Sequence, residues 1–314
     1  MLTRRHIRVK VLQSLYAYYQ NDETKLDKQE KYLKHSIDQM LELHALLLQL
    51  LVVMREHASN YLQKSQQKFL ATDLEKNPSR SFVDNQVIEL ISKNNNLAQF
   101  LRNKKLHNWK QDDEYVSLLF NDLKAKDWYL EYLQLKVPTF QQDREFVIRL
   151  YKEVIAPNEK LYEYLEDNRL GWVDDFPLIN TTIVKMLGKI SERNSSDLYT
   201  AQLFKNKEDE SFSGELLRKV ISNDELLLEQ IDGKTPNWDK ERIAEMDMII
   251  LKMGIAEFLY FPSIPVKVSI NEYLEISKEY STPKSSLFIN GILDKMVKEL
   301  TAAEKLNKIG RGLR

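Results

Sequence analysis

Three arginines within five residues, Arg4, Arg5 and Arg8, are the groups in this chain best suited to chemistry, and that chemistry is holding phosphate rather than breaking bonds. A guanidinium presents a planar fork of N–H donors that matches phosphate oxygens, and at the start of a helix it adds to the positive end of the helix dipole. Lys10 continues the patch. RNA is the natural ligand for such a surface; the plainer reading of the same residues is a solubilising helix end. No catalytic constellation accompanies them. His6, His35, His44, His57 and His107 show no i, i+4 pairing and no HExxH, so they read as solvated or capping residues rather than zinc ligands. The glycines form no phosphate-cradling loop, and the absence of cysteine removes thiolate nucleophiles, thiolate metal sites and disulfides. The carboxylates of Asp174-Asp175 and Glu208-Asp209-Glu210 read as solvated surface charge. The expectation is a chain that is not an enzyme and has no catalytic residue, metal or cofactor.

Helices must position these groups. The chain has 314 residues, 43% of them apolar and 30% charged, with only eight glycines and eight prolines, which favours an all-α fold over a sheet with many tight turns. The formal net charge is −1, so affinity for nucleic acid has to come from local patches. Such patches occur at both ends: the arginines at the start, and Lys295, Lys298, Lys305, Lys308, Arg311 and Arg314 at the finish. The N-terminus lacks the apolar core of a signal peptide, and the longest apolar run, Ala45 to Met54, is too short to span a bilayer and reads as the buried part of a long helix. A cytoplasmic protein without a membrane partner is expected.

Along the chain, residues 3–20 read as an amphipathic helix with Ile7, Val11, Leu15 and Tyr18 on one side. Helical patterns follow over 29–66, 84–106 and 112–135, separated by a polar stretch from Ser65 to Ser81 and by a break at Val137-Pro138-Thr139. At an offset of 66 residues Phe146 pairs with Phe212, Leu150 with Leu216, Val154 with Val220, Leu161 with Leu227, Trp172 with Trp238 and Ile183 with Ile249. Residues 141–190 therefore read as a degenerate copy of 207–256. Chance alignment of two amphipathic helix pairs is the alternative.

Near the C-terminus, Pro265-Val266-Lys267-Val268-Ser269-Ile270-Asn271-Glu272 opens one helix. After the Thr282-Pro283 break, Phe288-Ile289-Asn290-Gly291-Ile292-Leu293-Asp294-Lys295 opens another. A mid-helix glycine costs roughly 1 kcal/mol against alanine, so Gly291 calls for close approach of a helix or a ligand. This pair of motifs resembles the C-terminal signature of the NusB family of bacterial transcription antitermination factors, P-x-K-V-A-I-N-E followed by F-V-N-G-V-L-D-K. Arg4-Arg5-His6-Ile7-Arg8 leading into Leu15-Tyr16 resembles the family's arginine-rich opening helix with its A-L-Y segment. Glu215-Leu216-Leu217 and Asp247-Met248-Ile249-Ile250-Leu251-Lys252 follow its central helices.

The resemblance covers residues 1–20 and 208–300, making 21–207 a helical insertion and 301–314 a basic tail. It implies NusB-like helical bundles that bind a short single-stranded leader RNA, boxA, together with the ribosomal protein NusE. The complex would join RNA polymerase and other Nus factors and suppress premature termination in ribosomal RNA operons. It carries RNA contact to Arg4, Arg5, Arg8 and Lys10, with His6 where some members have a further arginine. Phe288 becomes a base-stacking ring, otherwise read as core. Asn290 lies beside it, otherwise an interhelical hydrogen-bonding residue. Asp247 takes the place of a family glutamate near the RNA, and Lys284 that of an acid in some relatives. Lys267 and Lys278 are further candidate phosphate contacts. Tyr16 resembles a contact for NusE, or equally a buried aromatic. RNA cytosine methyltransferases carrying this domain need a catalytic cysteine, which is absent here. A protein-interaction scaffold or a small-subunit ribosome assembly factor working through the insertion is the alternative. The antitermination reading requires the arginines and Phe288 to converge on one surface.

Overall fold

The computed structural model describes residues 2–21, 25–70, 72–191, 199, 203–204, 206–232 and 243–310. These are all-α, with no β-strand among the described residues. In chain order the helices are α1 (Arg4–Tyr19), α2 (Leu26–Gln66), α3 (Asp73–Lys76), α4 (Gln86–Ser92), α5 (Asn95–Lys104), α6 (Asn108–Gln111), α7 (Asp113–Lys124) and α8 (Asp127–Leu133). They continue with α9 (Phe140–Leu150), α10 (Glu159–Asn168), α11 (Phe176–Lys189), α12 (Lys207–Ser222), α13 (Asp224–Ile231), α14 (Glu245–Tyr260), α15 (Val266–Tyr280) and α16 (Ser285–Ala302). The chain divides into two compact units. Unit 1 is Met1–Ile37 with Leu203–Arg314, and unit 2 is Asp38–Gln202.

Unit 1 is organised around α14, because its sequence is apolar on every side. Ile249, Ile250, Leu251, Met253, Ile255, Ala256 and Phe258 are all buried, as expected of a helix enclosed by neighbours. Helices α1, α12, α13, α15 and α16 pack on it, and α1 lies against α12. Close approach is needed at Gly254, where an added Cβ would sit 3.0 Å from Leu293 Cδ2 of α16 and 3.5 Å from the Tyr273 ring of α15. At Gly291 an added Cβ would meet nothing within 4 Å, so packing within the chain does not account for that glycine. Residues after α16 return to the end of α14. Lys308 Nζ donates to the carbonyls of Glu257 (3.2 Å) and Phe261 (3.0 Å), and Ile309 N donates to Pro262 O (3.1 Å). Such cations satisfy carbonyls left open at a helix C-terminus.

Unit 2 is contiguous in sequence. Trp109 and Trp172 are buried and donate their indole N–H groups to Leu46 O (2.8 Å) and Gln39 O (2.9 Å) of α2, which meets the polar requirement of a buried indole. Asp143 of α9 is buried and accepts from Tyr132 Oη (2.6 Å) and Gln86 N (2.8 Å), closing the start of α4. His44 is fully enclosed and stacks on Tyr199 at 5.6 Å between ring centroids, with burial lowering its pKa to about 4. It is a core histidine, unlike the solvated or capping role expected for it.

Helix α2 contains an 18-residue window with mean hydropathy 1.5, long and apolar enough to cross a membrane by length and composition, and 67% of that window is buried within the protein. The run Ala45 to Met54 is the buried part of this long helix, as expected, although the apolar window extends beyond the run. The whole helix, not the ten-residue run, sets its reach. The two patterns expected at 84–106 and 112–135 each break into shorter helices. Asn94 caps α5 by accepting from Leu97 N, and the second pattern stops at Ala125-Lys126. Helix boundaries recur at the 66-residue offset: α9 with the π-helical turn Tyr151–Ile155, then α10 and α11, correspond to α12, α13 and α14. Trp238 of the expected tryptophan pair lies outside the described residues.

Candidate nucleic-acid interface

The opening of α1 follows from its sequence. Thr3 and His6 form a reciprocal capping box, in which His6 Nδ1 lies 2.7 Å from Thr3 Oγ1 and accepts from Thr3 N at 3.2 Å. The ring at position 6 is therefore engaged in ending the helix. An open groove of about 700 Å³ begins here, lined by Thr3, Arg4, Arg5, His6 and Arg8 of the α1 end and by Ser263, Ile264, Pro265, Val268 and Glu272 at the start of α15.

The arginines in this groove are already paired. Arg4 donates from Nε to Asp209 (2.8 Å) and from Nη2 to Glu208 (2.6 Å). Arg5 makes a bidentate pair with Glu272, both bonds 3.0 Å. Arg8 makes a bidentate pair with Glu257 at 2.9 and 2.7 Å, and Ser269 Oγ (2.5 Å) and Tyr273 Oη (2.9 Å) donate to the same carboxylate. Burial disfavours the Arg8 charge, but the Glu257 carboxylate and its hydrogen bonds more than offset this and hold the guanidinium above its ordinary pKa. Arg8 is 1% exposed and Lys10 is 3% exposed. Neither presents its charge to a phosphate, which corrects the RNA contact expected of both: Arg8 is a core ion pair forming the groove floor, while Lys10 faces inward. Arg4 and Arg5 remain partly exposed. The three arginines meet four carboxylates, Glu208, Asp209, Glu257 and Glu272, so this end of unit 1 is not a free positive patch.

The second group of expected residues sits elsewhere. Asp247 is buried and accepts from Ser281 Oγ (2.5 Å) and Ser285 Oγ (2.7 Å), locking the α15–α16 turn. Its carboxylate is consumed in that turn, which corrects the expectation of an RNA-facing acid. Lys284 is exposed just before α16, Phe288 is half-buried in the first turn, and Asn290 is half-buried and donates to Asp294 at 3.3 Å. Tyr16 is 40% exposed, not buried beside Leu15.

Helix α1 runs antiparallel to α14: Arg8 meets Glu257 near the α14 C-terminus, and Gln20 Nε2 donates to the Glu245 carboxylate (2.7 and 2.8 Å) at its N-terminus. The Asp247 turn therefore lies at the Gln20 end. Sixteen residues at 1.5 Å each put Arg4 about 24 Å away along α1. The expected convergence of the arginines with Phe288 is not what the fold produces; the two groups mark opposite ends of α14. Sequence reasoning also missed Glu257. An acid within the otherwise apolar residues 253–260 of α14 is the signal that would have disclosed it, since a buried carboxylate demands a cation.

Comparison with known proteins bears on the second group and on the carboxylate partners of the arginines. The NusB family model matches residues 178–298. Over 102 residues the chain is 41% identical to the transcription antitermination protein NusB of Salinibacter ruber, covering 32% of this chain and 64% of that one. It is 43% identical over 102 residues to the protein of the same name from Chloroherpeton thalassium (32% and 48%), and 39% identical over 94 residues to that of Geotalea daltonii (30% and 65%). The chain thus spans less than two thirds of the length of each of these relatives. No solved structure matches. With the α14–α16 core falling wholly inside the matched residues except for the last four of α16, the chain carries a NusB family domain over residues 178–298, extended by a further helical region.

Proposed function

We propose that this protein is a non-catalytic transcription antitermination factor. In this reading it binds boxA-like RNA together with the ribosomal protein NusE, joins RNA polymerase and other Nus factors in the cytoplasm, and suppresses premature termination in ribosomal RNA operons. Residues 1–20 and 208–300 carry the RNA-binding domain and 21–207 are inserted helices, of which 178–207 also fall within the family match. The arginines and Phe288 do not share one surface, so the reading rests instead on a NusB family domain folded together with an open groove that displays Arg4 and Arg5. At that rim a strand phosphate exchanges with Glu208 and Glu272 for the two guanidinium forks, a swap of one anion for another, both of which the fork geometry fits. Phe288 offers a ring face for an unpaired base at the other end of α14, beside Asn290. Tyr16, exposed on α1, is the candidate contact for NusE.

The test is equilibrium binding of a boxA RNA oligonucleotide, with and without NusE, across a salt series. Replacing Arg4 and Arg5 by alanine is expected to reduce the slope of log affinity against log salt by about 1.4, the value for two phosphate contacts on a single strand. An unchanged slope removes the groove from the RNA path.

One observation favours a second reading, a scaffold whose insertion is the working surface: Phe69 and Leu70, side by side after α2, are 100% and 85% exposed. Association with a transcription or ribosome-assembly complex that survives ribonuclease and is lost in Phe69→Asp is the outcome that would favour it.

A further inference from the structure

The sequence places a second basic cluster after Phe288 that the groove does not use. Lys284, Phe288, Gly291, Lys295, Lys298 and Ala302 follow one another at intervals of four, three, four, three and four residues, which puts them on one stripe of α16. The opposite face, Ile289, Leu293, Met296 and Leu300, is buried in unit 1. Lys284, Gly291, Lys295 and Lys298 are exposed, and Lys305, also exposed, follows the helix before Lys308 anchors the chain to the end of α14.

The two basic clusters differ in one physical respect. Arg4, Arg5 and Arg8 each hold a carboxylate. Among the described residues, Lys284, Lys295, Lys298 and Lys305 have no carboxylate within ion-pair distance. A phosphate arriving at the groove must displace an existing anion; one arriving at α16 displaces only mobile counterions, the exchange that drives binding to a nucleic-acid backbone. The helix dipole does not account for the lysines, because its effect fades beyond the last turn of a helix and α16 has no basic residue in its last turn. Nor does packing account for Gly291, which has open space where a side chain would project. An aromatic ring, a bare backbone position and lysines in succession suit a stacked, charged strand. The centre of a protein interface, by contrast, is depleted of lysine.

We propose that this exposed stripe of α16, Lys284, Phe288, Gly291, Lys295 and Lys298 continued by Lys305, is the track along which the RNA backbone is held. Gly291 provides clearance for the strand between the stacking ring and the lysines. The inference rests on the RNA-binding reading given above and deepens it. It moves most of the backbone neutralisation from the α1 arginines to the last helix.

The experiment uses the full chain and a single-stranded boxA RNA oligonucleotide, with affinity measured across a salt series. The combined variant Lys295→Gln, Lys298→Gln, Lys305→Gln is expected to lower the slope by about 2, three single-strand contacts, without moving the melting temperature. Gly291→Leu is expected to weaken RNA binding at least tenfold while the protein melts no lower than the parent. An unchanged slope in the lysine variant, with Arg4→Ala/Arg5→Ala still lowering it, overturns the track and leaves the groove as the RNA site. An unchanged slope with loss of a protein component of the complex reassigns the stripe to a protein partner and equally overturns it. A parent chain that fails to bind the oligonucleotide with or without NusE defeats the RNA reading itself.

Discussion

Two buried ionisable residues show how much one side chain can decide. Arg8 and Glu257 form a pair inside unit 1, 1% and 0% exposed. Removing one member leaves the other charged and without its counter-ion in the core, so Arg8→Ala is expected to destabilise by about 3–5 kcal/mol in urea unfolding, whereas replacing both by apolar residues of similar size costs far less. His44 in unit 2 gives a pH signature. Burial lowers its pKa to about 4 from the ordinary 6.5, so the unfolded chain takes up a proton before the folded one does. Stability is then full above pH 6.5 and falls as the pH drops toward 4, by roughly 3 kcal/mol at the lower end. His44→Phe, which keeps the stack on Tyr199, is expected to flatten that part of the profile. The arginine cluster was legible in the sequence as a cluster, but its partners were not. Glu208, Asp209, Glu257 and Glu272 are more than two hundred residues away in sequence, and only folding brings them to α1.

Helices were easier to foresee than their ends. α1 and α2 match the helical spacing closely, because long apolar stripes dominate the local signal. The breaks at Asn94 and at Ala125-Lys126 carry no proline or glycine, and the second breaks at Lys126 with no side-chain cap at all, so nothing in the local residues announces it. The degenerate-copy reading of 141–190 stays a proposal. Matching helix boundaries support it, and superposition of α9–α11 on α12–α14 with buried Asp143 falling on buried Asp209 is the expected result. Two α-helical glycines of unit 1, Gly254 and Gly291, separate packing from function. Gly291→Ala is expected to stabilise by about 1 kcal/mol, the intrinsic helix preference for alanine in an open position. Gly254→Ala should forfeit that gain, since its Cβ would press on Leu293 at 3.0 Å. Thermal melts of the two single variants check the contrast.

At the scale of the molecule, tryptophan provides a convenient separation. Trp109, Trp128 and Trp172 belong to unit 2, and Trp238 is the one tryptophan that the sequence assigns to unit 1. In a Trp238→Phe variant, fluorescence follows unit 2 alone. Substituting Arg8 there should leave the fluorescence transition in place while the far-ultraviolet circular dichroism loses cooperativity. The all-α character was plain from composition. That unit 1 is built from the two extremes of the chain was legible only through the family resemblance, since helical periodicity says nothing about which helices meet.

That split composition sets an order of events during synthesis. Arg8 emerges from the ribosome early and must wait until Glu257 has been translated before its charge can be matched, whereas Asp38–Gln202 is a continuous stretch whose internal contacts are complete sooner. Nascent chains long enough to carry Gln202 clear of the exit tunnel, but not yet α14, should therefore already resist protease across unit 2 while the first helix is still cleaved. Full protection of the N-terminus should arise only once α14 has left the exit tunnel.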